Sequence, residues 1–502
     1  MALSIHPQIE GNIETFDFCD SELVIGLVYA AGTNYRPVQE CIERVLKGHG
    51  YTPGFIRISD LIGSLTNRTL IDDSEIARIS SRMDAGNAAC RESGRRDIWA
   101  LAAIAEINKM RGNDLPQQNS LPRTAHVILS LKRPEEVATL RKVYGDGFFV
   151  IGVFATEKER LDSLIEKNAP KRDAIALIKR DEDELADEYG QQTRETFHLA
   201  DVFVQLKAGK FNDELSRFFQ LIFSDPYVTP TQQEHAMFLA YATSLRSGQL
   251  GRQVGAAIAT RRGDVLAVGC NDVPRPGGGL YWPEQNDNRD HVLGFDTNDK
   301  YRDRIVEQLI AKLPVNIDGD TSTRNVLRKS FRSVLEITEY GRAVHAEMDA
   351  LLTCARSGVS PTGAILYTTT FPCHNCTRHI IAAGIERVIY IEPYAKSRAE
   401  ELHEDAIVIE EKALMPNRGA RKVPFTHFVG VGPRKYFDLF SLNLSSGHAL
   451  ARKANGQKLQ LIEGKSWPRI PLSHFTYIQR EQLAIEDLDV LPKQLAFFPE
   501  QK

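Results

Sequence analysis

The sequence predicts an α/β protein with two sheets, an N-terminal doubly wound parallel sheet and a C-terminal three-layer α/β/α domain. In the first 225 residues, short apolar runs alternate with helical stretches, as in parallel strands joined by crossover helices. From residue 231 the order changes to helix, hairpin, helix, strand, helix and strand. A chain of 502 residues is also too long for one domain of typical size.

Composition and periodicity divide the chain into four parts. We expect a tail over 1–20, a first α/β domain over 21–225, a second domain over 226–430 and a C-terminal extension over 431–502. The extension turns polar and has little periodicity near its end, which predicts an irregular segment packed on the body or on neighbouring subunits.

The first domain begins with a buried apolar run, Leu23–Tyr29, followed by a small-residue loop and an amphipathic helix over 35–47. Further strands are predicted at 55–58, 125–131, 148–154 and 201–206. The loop over 26–32 lies where a P-loop would hold phosphates at a helix N-terminus.

That loop departs from the P-loop motif. Thr33 and Asn34 stand where Lys and Ser or Thr are expected, so the charge that would grip the phosphates is missing. We therefore predict a degenerate P-loop nucleotide-kinase-like domain without phosphoryl transfer, in which Gly26, Gly32 and Thr33 are the candidate nucleotide contacts.

The second domain opens with a capping box at Thr231 and Glu234, which predicts the start of a helix. Two strands at 253–258 and 264–269 are joined by a turn containing Gly263, the pattern of a hairpin. A strand at 364–370, a helix at 373–384 and a strand at 387–392 complete the expected core.

An insertion over 272–340 interrupts this domain between the hairpin and the next helix. It is far longer than a typical connection and contains a glycine run, features of lids and binding loops. We predict a lid in which Tyr281 or Trp282 covers a bound base; a loop that packs only against another subunit is the alternative.

The most informative motif is His345-Ala346-Glu347 followed by Pro372-Cys373-His374-Asn375-Cys376. One imidazole and two thiolates fill three tetrahedral positions on Zn²⁺ and leave the fourth for a water whose pKa the metal lowers. His345, Cys373 and Cys376 are the predicted ligands, and Glu347 is the predicted general base and acid. This spacing is the signature of zinc-dependent nucleobase deaminases. A structural zinc or redox role would require a fourth ligand or leave Glu347 unexplained.

Residues 231–395 resemble the deoxycytidylate (dCMP) deaminase branch of the cytidine deaminase superfamily. The matching motifs are the zinc motif, Arg252-Gln253-Val254-Gly255-Ala256 and the run over 269–274. The resemblance implies that Asn271 hydrogen-bonds the sugar and that the stretch from Thr368 to Phe371, which includes Thr369, holds the exocyclic amine through its backbone. A plain turn role for Asn271 is the alternative.

Three arginines near these motifs are candidates for binding phosphate, because guanidinium forks match phosphate oxygens. They are Arg252, Arg246 and Arg342. For each one, a solvated surface position is the alternative.

The whole architecture resembles bacterial anti-phage dCTP deaminases, which fuse an N-terminal P-loop kinase-like domain to a dCMP-deaminase-like domain. Blocks at 27–33, 196–201, 277–282, 392–397 and 433–440 carry this match. The resemblance implies deamination of dCTP, dCMP or both, and depletion of the dCTP pool during infection. It also implies restraint by a cognate small RNA or another inhibitor, with a phage-derived trigger. A housekeeping dCMP deaminase and a nucleotide- or RNA-sensing protein with a vestigial deaminase are the alternatives.

Charge and cysteine usage limit the class of partner and the compartment. The formal net charge is −4, from 62 basic and 66 acidic residues, which favours a small nucleotide substrate over a nucleic-acid backbone. Seven cysteines are sparse and predict reduced thiols. No apolar run or leader pattern suggests a membrane span or signal peptide, so we expect a cytoplasmic homo-oligomer without membrane contact.

Overall fold

The structure is a computed structural model. It describes residues 20–66, 68–112, 120–182, 184, 187–206, 210–284, 286–312, 340–394, 397–409, 422–443, 450–459, 467–472 and 474–489. Nearly all of the predicted tail and much of the predicted insertion therefore lie outside the described residues. The cysteines within the described ranges are all free and buried, as expected for reduced thiols.

The first sheet has five parallel strands in the order β2-β3-β1-β4-β5. The strands are β1 (Leu23–Tyr29), β2 (Thr52–Arg57), β3 (Thr124–Leu129), β4 (Phe148–Phe154) and β5 (Val202–Gln205). Helices connect them: α1 (Arg36–Gly48), α2 (Ile58–Leu65), α3 (Glu75–Ser93), α4 (Ile98–Met110), α5 (Pro134–Tyr144), α6 (Glu157–Glu166), α7 (Lys171–Glu182), α8 (Thr193–Phe197) and α9 (Lys210–Ile222).

Apolar clusters lie on both faces of this sheet. Residues of α1 and α9 pack on one face, and residues of α4 and α5 pack on the other. The strand run Leu23–Tyr29 is buried through all but its last residue, because both faces are covered. The predicted doubly wound parallel sheet is confirmed.

The second sheet is mixed, in the order β10-β11-β9-β8-β6-β7. The strands are β6 (Gly255–Ala259), β7 (Val265–Cys270), β8 (Ile365–Thr370), β9 (Arg387–Glu392), β10 (Ile407–Ile409) and β11 (Val423–His427). Strand β6 pairs antiparallel with β7 and β8, and the other neighbours are parallel.

Helices cover both faces of the second sheet and complete the predicted three layers. On one face lies α10 (Gln232–Ser244), which begins with the expected capping box between Thr231 and Glu234. On the other lie α13 (Ala346–Ser357) and α14 (His374–Ala382). The inserted segment contributes α11 (Asp290–Leu293) and α12 (Thr297–Ile310), and α15 (Ala399–Leu402) follows β9.

A short strand connects the two sheets. After β11, Phe428 donates its backbone N–H to Tyr390 O in the second sheet at 2.8 Å. Only a few residues later, β12 (Gly430–Val431) pairs antiparallel with β5 of the first sheet. The predicted domain boundary at residue 430 thus falls inside a strand that belongs to the first sheet. Helix α16 (Tyr436–Phe440) and a small hairpin of β13 (Lys453–Ala454) and β14 (Gln457–Lys458) follow.

The C-terminal extension contains a helix that the sequence did not predict, α17 (His474–Asp489). It packs on α4 and α5 of the first domain. Its inward face includes Tyr477 and the fully buried Glu481, so the apolar periodicity is interrupted by a carboxylate. No helix in the described ranges is long and apolar enough to span a bilayer.

A buried ion cluster attaches this helix to the first domain. Arg111 Nη2 lies 2.9 Å from Glu22 Oε2 and 3.0 Å from Glu481 Oε1, and all three side chains are fully buried. The hydroxyl of Tyr477 also donates to Glu22. The cluster joins the start of β1 to α17 through the Arg111 guanidinium and the Tyr477 hydroxyl.

We expect Arg111→Met to destabilise the protein by about 3–5 kcal/mol, because the substitution leaves two buried carboxylates without their cation. The free energy of unfolding from urea titration measures this cost. Arg68→Met is the matched control: its partner Glu92 is exposed, and the change should stay within about 0.5 kcal/mol. Equal costs for the two variants would contradict a stabilising role for the cluster.

Candidate active site

The three predicted metal ligands converge at the N-termini of two helices. His345 is the N-cap of α13, and Cys373 is the N-cap of α14. His345 Nδ1 lies 3.3 Å from Cys373 Sγ and 3.4 Å from Cys376 Sγ. A tetrahedral zinc ion separates nitrogen and sulfur ligands by about 3.5 Å. These contacts therefore mark the edges of a coordination site of the right size.

The local structure favours ionisation of Cys373, whereas the hydrogen bond with Cys373, followed by burial, raises the pKa of Cys376. A hydrogen bond with Cys376 lowers the pKa of Cys373 to about 4, against the opposing effect of burial, and the contact with His345 acts in the same direction. The positive end of the α14 dipole also stabilises negative charge at these positions. Thiolates are the form in which cysteine binds metal.

Glu347 lies beside the ligands without being one of the three. Its side chain is 4% exposed, and Oε2 accepts a hydrogen bond from Cys376 Sγ at 3.3 Å. Burial raises the pKa of this carboxyl above its usual value. A carboxyl whose pKa is raised toward neutrality can both accept and return a proton.

Close packing of the sheet against α13 fixes this geometry. Gly269 on β7 is so near the helix that a Cβ there would lie 2.3 Å from Ala350 N and 2.4 Å from Ala346 O. The helix that carries Glu347 therefore approaches the sheet at a distance only glycine permits.

We expect Gly269→Ala to cost about 2–3 kcal/mol of stability, since α13 must move to admit the methyl group. Turnover should fall as well, because the same helix positions His345 and Glu347. Gly48→Ala is the control, as no atom lies within 4 Å of its added Cβ. Denaturant unfolding compares the two, and an unchanged unfolding midpoint for Gly269→Ala would show that the helix does not depend on this close approach.

A cavity of about 150 Å³ opens beside His345. Asn271 lines it, as do several residues that the sequence did not single out: Gln249, Asp290, Asp296, Asn298, Gly341 and Ala343. Residues 290–298 belong to the predicted insertion, so part of that segment borders the zinc site. The Asp296 side chain caps α12, a local signal that the sequence could have shown.

The side-chain amide of Asn271 holds the neighbouring loop in place. Its Oδ1 accepts from Val254 N, and its Nδ2 donates to Arg252 O, each at 2.7 Å. The sugar contact predicted for Asn271 stays a prediction. Asn271 lines the cavity, as that contact requires, and its second amide N–H is the group that would donate to the sugar.

Two predicted contacts lie away from this cavity. The Thr369 side chain is on the sheet face opposite α13, where Oγ1 accepts from Gly255 N at 3.1 Å and lines a second cavity. The Arg252 side chain is half exposed and donates to Glu392 Oε1 at 2.6 Å. The predicted backbone role of Thr369 and the phosphate role of Arg252 stay predictions.

The other candidate arginines also have protein partners. Arg342 lines the first cavity and donates to Asp290 at 2.9 Å. Arg246 lies 3.8 Å from the Trp282 ring centroid and donates to the backbone oxygen of Tyr281 at 2.9 Å. The Tyr281–Trp282 pair is thus anchored by its contacts with Arg246.

The candidate nucleotide-binding residues of the first domain are Gly26, Gly32 and Thr33, and they lie in and directly after β1. Gly26 lies inside β1 rather than in the loop, and a Cβ there would lie 2.7 Å from Leu131 Cδ1, so packing explains this glycine. Gly32 has a φ of 84° and is followed by the buried Thr33. In the same loop, Ala31 N donates to Asp181 at 2.8 Å, so a protein carboxylate holds a loop amide.

Zinc deaminases of nucleobases are the class that combines this ligand set with an unligated glutamate on an α/β/α fold, and the site places the chain in that class. A family model for the cytidine and deoxycytidylate deaminase zinc-binding region matches residues 230–392. The deoxycytidylate deaminase of Enterobacteria phage T2 is 32% identical over 160 residues, covering 32% of this chain and 79% of the relative. The T4 phage deoxycytidylate deaminase is 29% identical over 160 residues, 32% of this chain and 77% of the relative.

This protein belongs to the cytidine and deoxycytidylate deaminase family, and zinc is its cofactor. Among solved structures, the dCMP deaminase of cyanophage S-TIM5 in complex with dCMP and dUMP is similar at 19% identity. The match covers 40% of this chain and 99% of that one, and its TM-score is 0.23, too low to establish a shared fold.

Proposed function

We propose that the protein hydrolyses cytosine deoxynucleotides, converting dCTP, dCMP or both to the uracil nucleotide and ammonia. The observation that carries this proposal is the buried Glu347 carboxyl beside an imidazole and two thiolates. Three protein ligands leave room for water at a tetrahedral ion, which is the arrangement of hydrolytic rather than structural zinc.

The proton path follows from the position of Glu347. His345, Cys373 and Cys376 would hold the zinc ion, which would supply Lewis-acid chemistry that lowers the pKa of a water molecule. Glu347 takes a proton from the attacking water and gives it to the ring nitrogen of the base as the new C–O bond forms. The carboxyl then transfers a proton from the added oxygen to the amino group, the C–N bond breaks, and ammonia leaves. Burial raises the pKa of Glu347 above its usual value, which favours its return of the proton.

Nucleotide recognition would use residues around the first cavity. Asn271 would contact the sugar, and Arg342, which also lines the cavity, would approach a phosphate. Tyr281 and the inserted segment would close over the base as a lid, and the backbone at Thr369 would contact the amino group. Net charge near zero suits a mononucleotide substrate.

The biological role we propose is depletion of the dCTP pool in anti-phage defence, with activity restrained by an inhibitory small RNA until infection. The resemblance of the two-domain architecture supports this role. The relatives named deoxycytidylate deaminase favour the second candidate, a dCMP deaminase of deoxynucleotide metabolism.

A substrate panel separates the two candidates. Zinc-loaded protein is given dCTP, dCMP, CTP and dATP separately, and ammonia and products are quantified by mass spectrometry, with and without co-purified RNA. Conversion of dCTP supports the defence role, and conversion of dCMP alone supports the metabolic one. No conversion of either deoxynucleotide by RNA-free, zinc-loaded protein would overturn the proposed activity.

A further inference from the structure

A second set of metal-binding side chains lies at the contact between the two sheets. Glu195 lies on α8 of the first domain, His198 caps that helix, and Glu392 is the last residue of β9 in the second sheet. Their ligand atoms all lie within 4.8 Å of one another. None of these residues belongs to the His345 site, and the two domains supply the set jointly.

One nitrogen of the His198 imidazole is available to bind a metal ion. Its Nδ1 is buried and has no hydrogen-bond partner within the described ranges. Burial lowers the pKa of His198 to about 4, so the ring is neutral at physiological pH, and the backbone of Arg194 hydrogen-bonds to it. A neutral imidazole oriented by a backbone group is the usual state of a metal-binding histidine.

The carboxylates beside it have spare acceptor capacity. Glu392 accepts from Arg252 at 2.6 Å and from Thr370 Oγ1 at 3.3 Å, while an ionised carboxylate offers about four lone-pair positions. Glu195 is not a member of any described ion pair, whereas Glu392 is already paired with Arg252. A metal ion at the cluster would share Glu392 with that guanidinium and place a cation next to Glu195.

The surroundings leave room to complete a coordination shell. A cavity of about 80 Å³ adjoins the cluster and is lined by His198 and Glu392, with Gln253 and Ser244 among the other wall residues. Its volume admits water ligands with polar partners in the wall. Three protein ligands and one or two waters would satisfy a tetrahedral or five-coordinate ion.

We propose that Glu195, His198 and Glu392 bind a second divalent transition metal ion, and that this ion fastens the first domain to the second. One imidazole with two carboxylates is a donor set that zinc accepts, whereas calcium and magnesium prefer oxygen ligands alone. The alternative is a pure Arg252–Glu392 ion pair beside an uncoordinated histidine.

The proposed ion would also affect the active site, through the contacts of Arg252. Glu392 holds the Arg252 side chain, and the Arg252 backbone oxygen accepts from Asn271 at the first cavity. A metal ion on Glu392 would weaken its pull on the guanidinium and free Arg252 to approach solvent or an anion. The second site is therefore connected to the loop over 252–254 without touching the zinc ligands.

Equilibrium dialysis of the full chain against Zn²⁺, read by elemental analysis, tests this inference. Wild type should bind two ions per chain. His198→Ala should bind one, and Glu195→Gln, a change at a partly buried position that preserves shape, should bind one or bind the second at least 10-fold more weakly. His235→Ala, an exposed histidine on α10, is the control and should bind two. One ion in wild type, or two tightly bound ions in both cluster variants, would overturn the proposal.

Titration with Co²⁺ distinguishes the two sites. The His345 site should give a thiolate-to-cobalt charge-transfer band because two of its ligands are cysteines, and the second site should give only weak ligand-field bands. Loss of the weak component in His198→Ala with the charge-transfer band intact is the expected result. The zinc site and the deamination assay are then read separately, so failure of the second site leaves the proposed activity untouched.

Discussion

Replacing Glu347 with glutamine is expected to lower turnover by roughly 10³-fold, since a positioned general acid–base group contributes about 10²–10⁴-fold. The amide keeps the shape of the side chain but cannot take a proton from water or return one to the base. The zinc ligands are unchanged, so bound metal should stay at the wild-type amount. Steady-state deamination and elemental analysis of the same preparation measure both quantities.

Asp349→Asn is the matched control for this experiment. Asp349 lies on the same helix, is also buried at 6% exposure, and accepts from Cys270 N at 3.3 Å instead of facing the zinc ligands. Its replacement should cost stability and leave turnover within about 10-fold of wild type. Retained activity in Glu347→Gln, or an equal loss in both variants, would remove Glu347 from the proton path.

Much of the fold followed from local patterns. The buried run Leu23–Tyr29 and the capping box at Thr231 predicted elements that the structure contains within one or two residues. Such signals are encoded in a single segment, because strand burial and helix capping depend on neighbouring residues alone. The zinc motif is equally local, since each half lies at one helix N-terminus.

The structural features that could not be predicted from the sequence depend on contacts between distant segments. The two-residue strand β12 exists because β5 has a free edge, and α17 docks through Glu481, whose partner Arg111 is 370 residues away.

The side-chain direction of Thr369, in contrast, could have been predicted from the sequence. Strand alternation places it on the same face as Tyr367 and opposite to Leu366, so the parity of β8 already indicated that its side chain points away from the zinc helices.

The residues around the first cavity were missed for a third reason. Gln249 and Asp290 are ordinary polar residues in sequence. Gln249 lies in the loop between α10 and β6, and Asp290 reaches the site because the inserted segment folds back beside His345. The Arg342–Asp290 ion pair at 2.9 Å holds the inserted segment in this position. A segment that folds back in this way leaves no periodic pattern in the sequence. The zinc ligands, by contrast, belong to short local motifs at helix N-termini.

Cys376→Ala should have the largest effect on the folded state. The side chain is fully buried between His345 and Glu347, and its loss leaves two protein ligands for an ion that needs at least three. We expect the loss of this zinc equivalent, the loss of deamination and a destabilisation of more than about 3 kcal/mol, since metal binding free energy is part of folding free energy. Elemental analysis and thermal unfolding with and without added zinc measure these outcomes.

Cys354→Ala separates ligand loss from the loss of a buried sulfur. Cys354 is also fully buried, on α13 and in the same apolar cluster, but it lies away from the ligand set. Its truncation should cost roughly 1 kcal/mol and keep the metal, because only packing is removed. Added zinc should raise the melting temperature of chelator-treated Cys354→Ala and of wild type, and should leave that of Cys376→Ala far less changed. A zinc-dependent rise of equal size in all three proteins would show that Cys376 does not hold the ion.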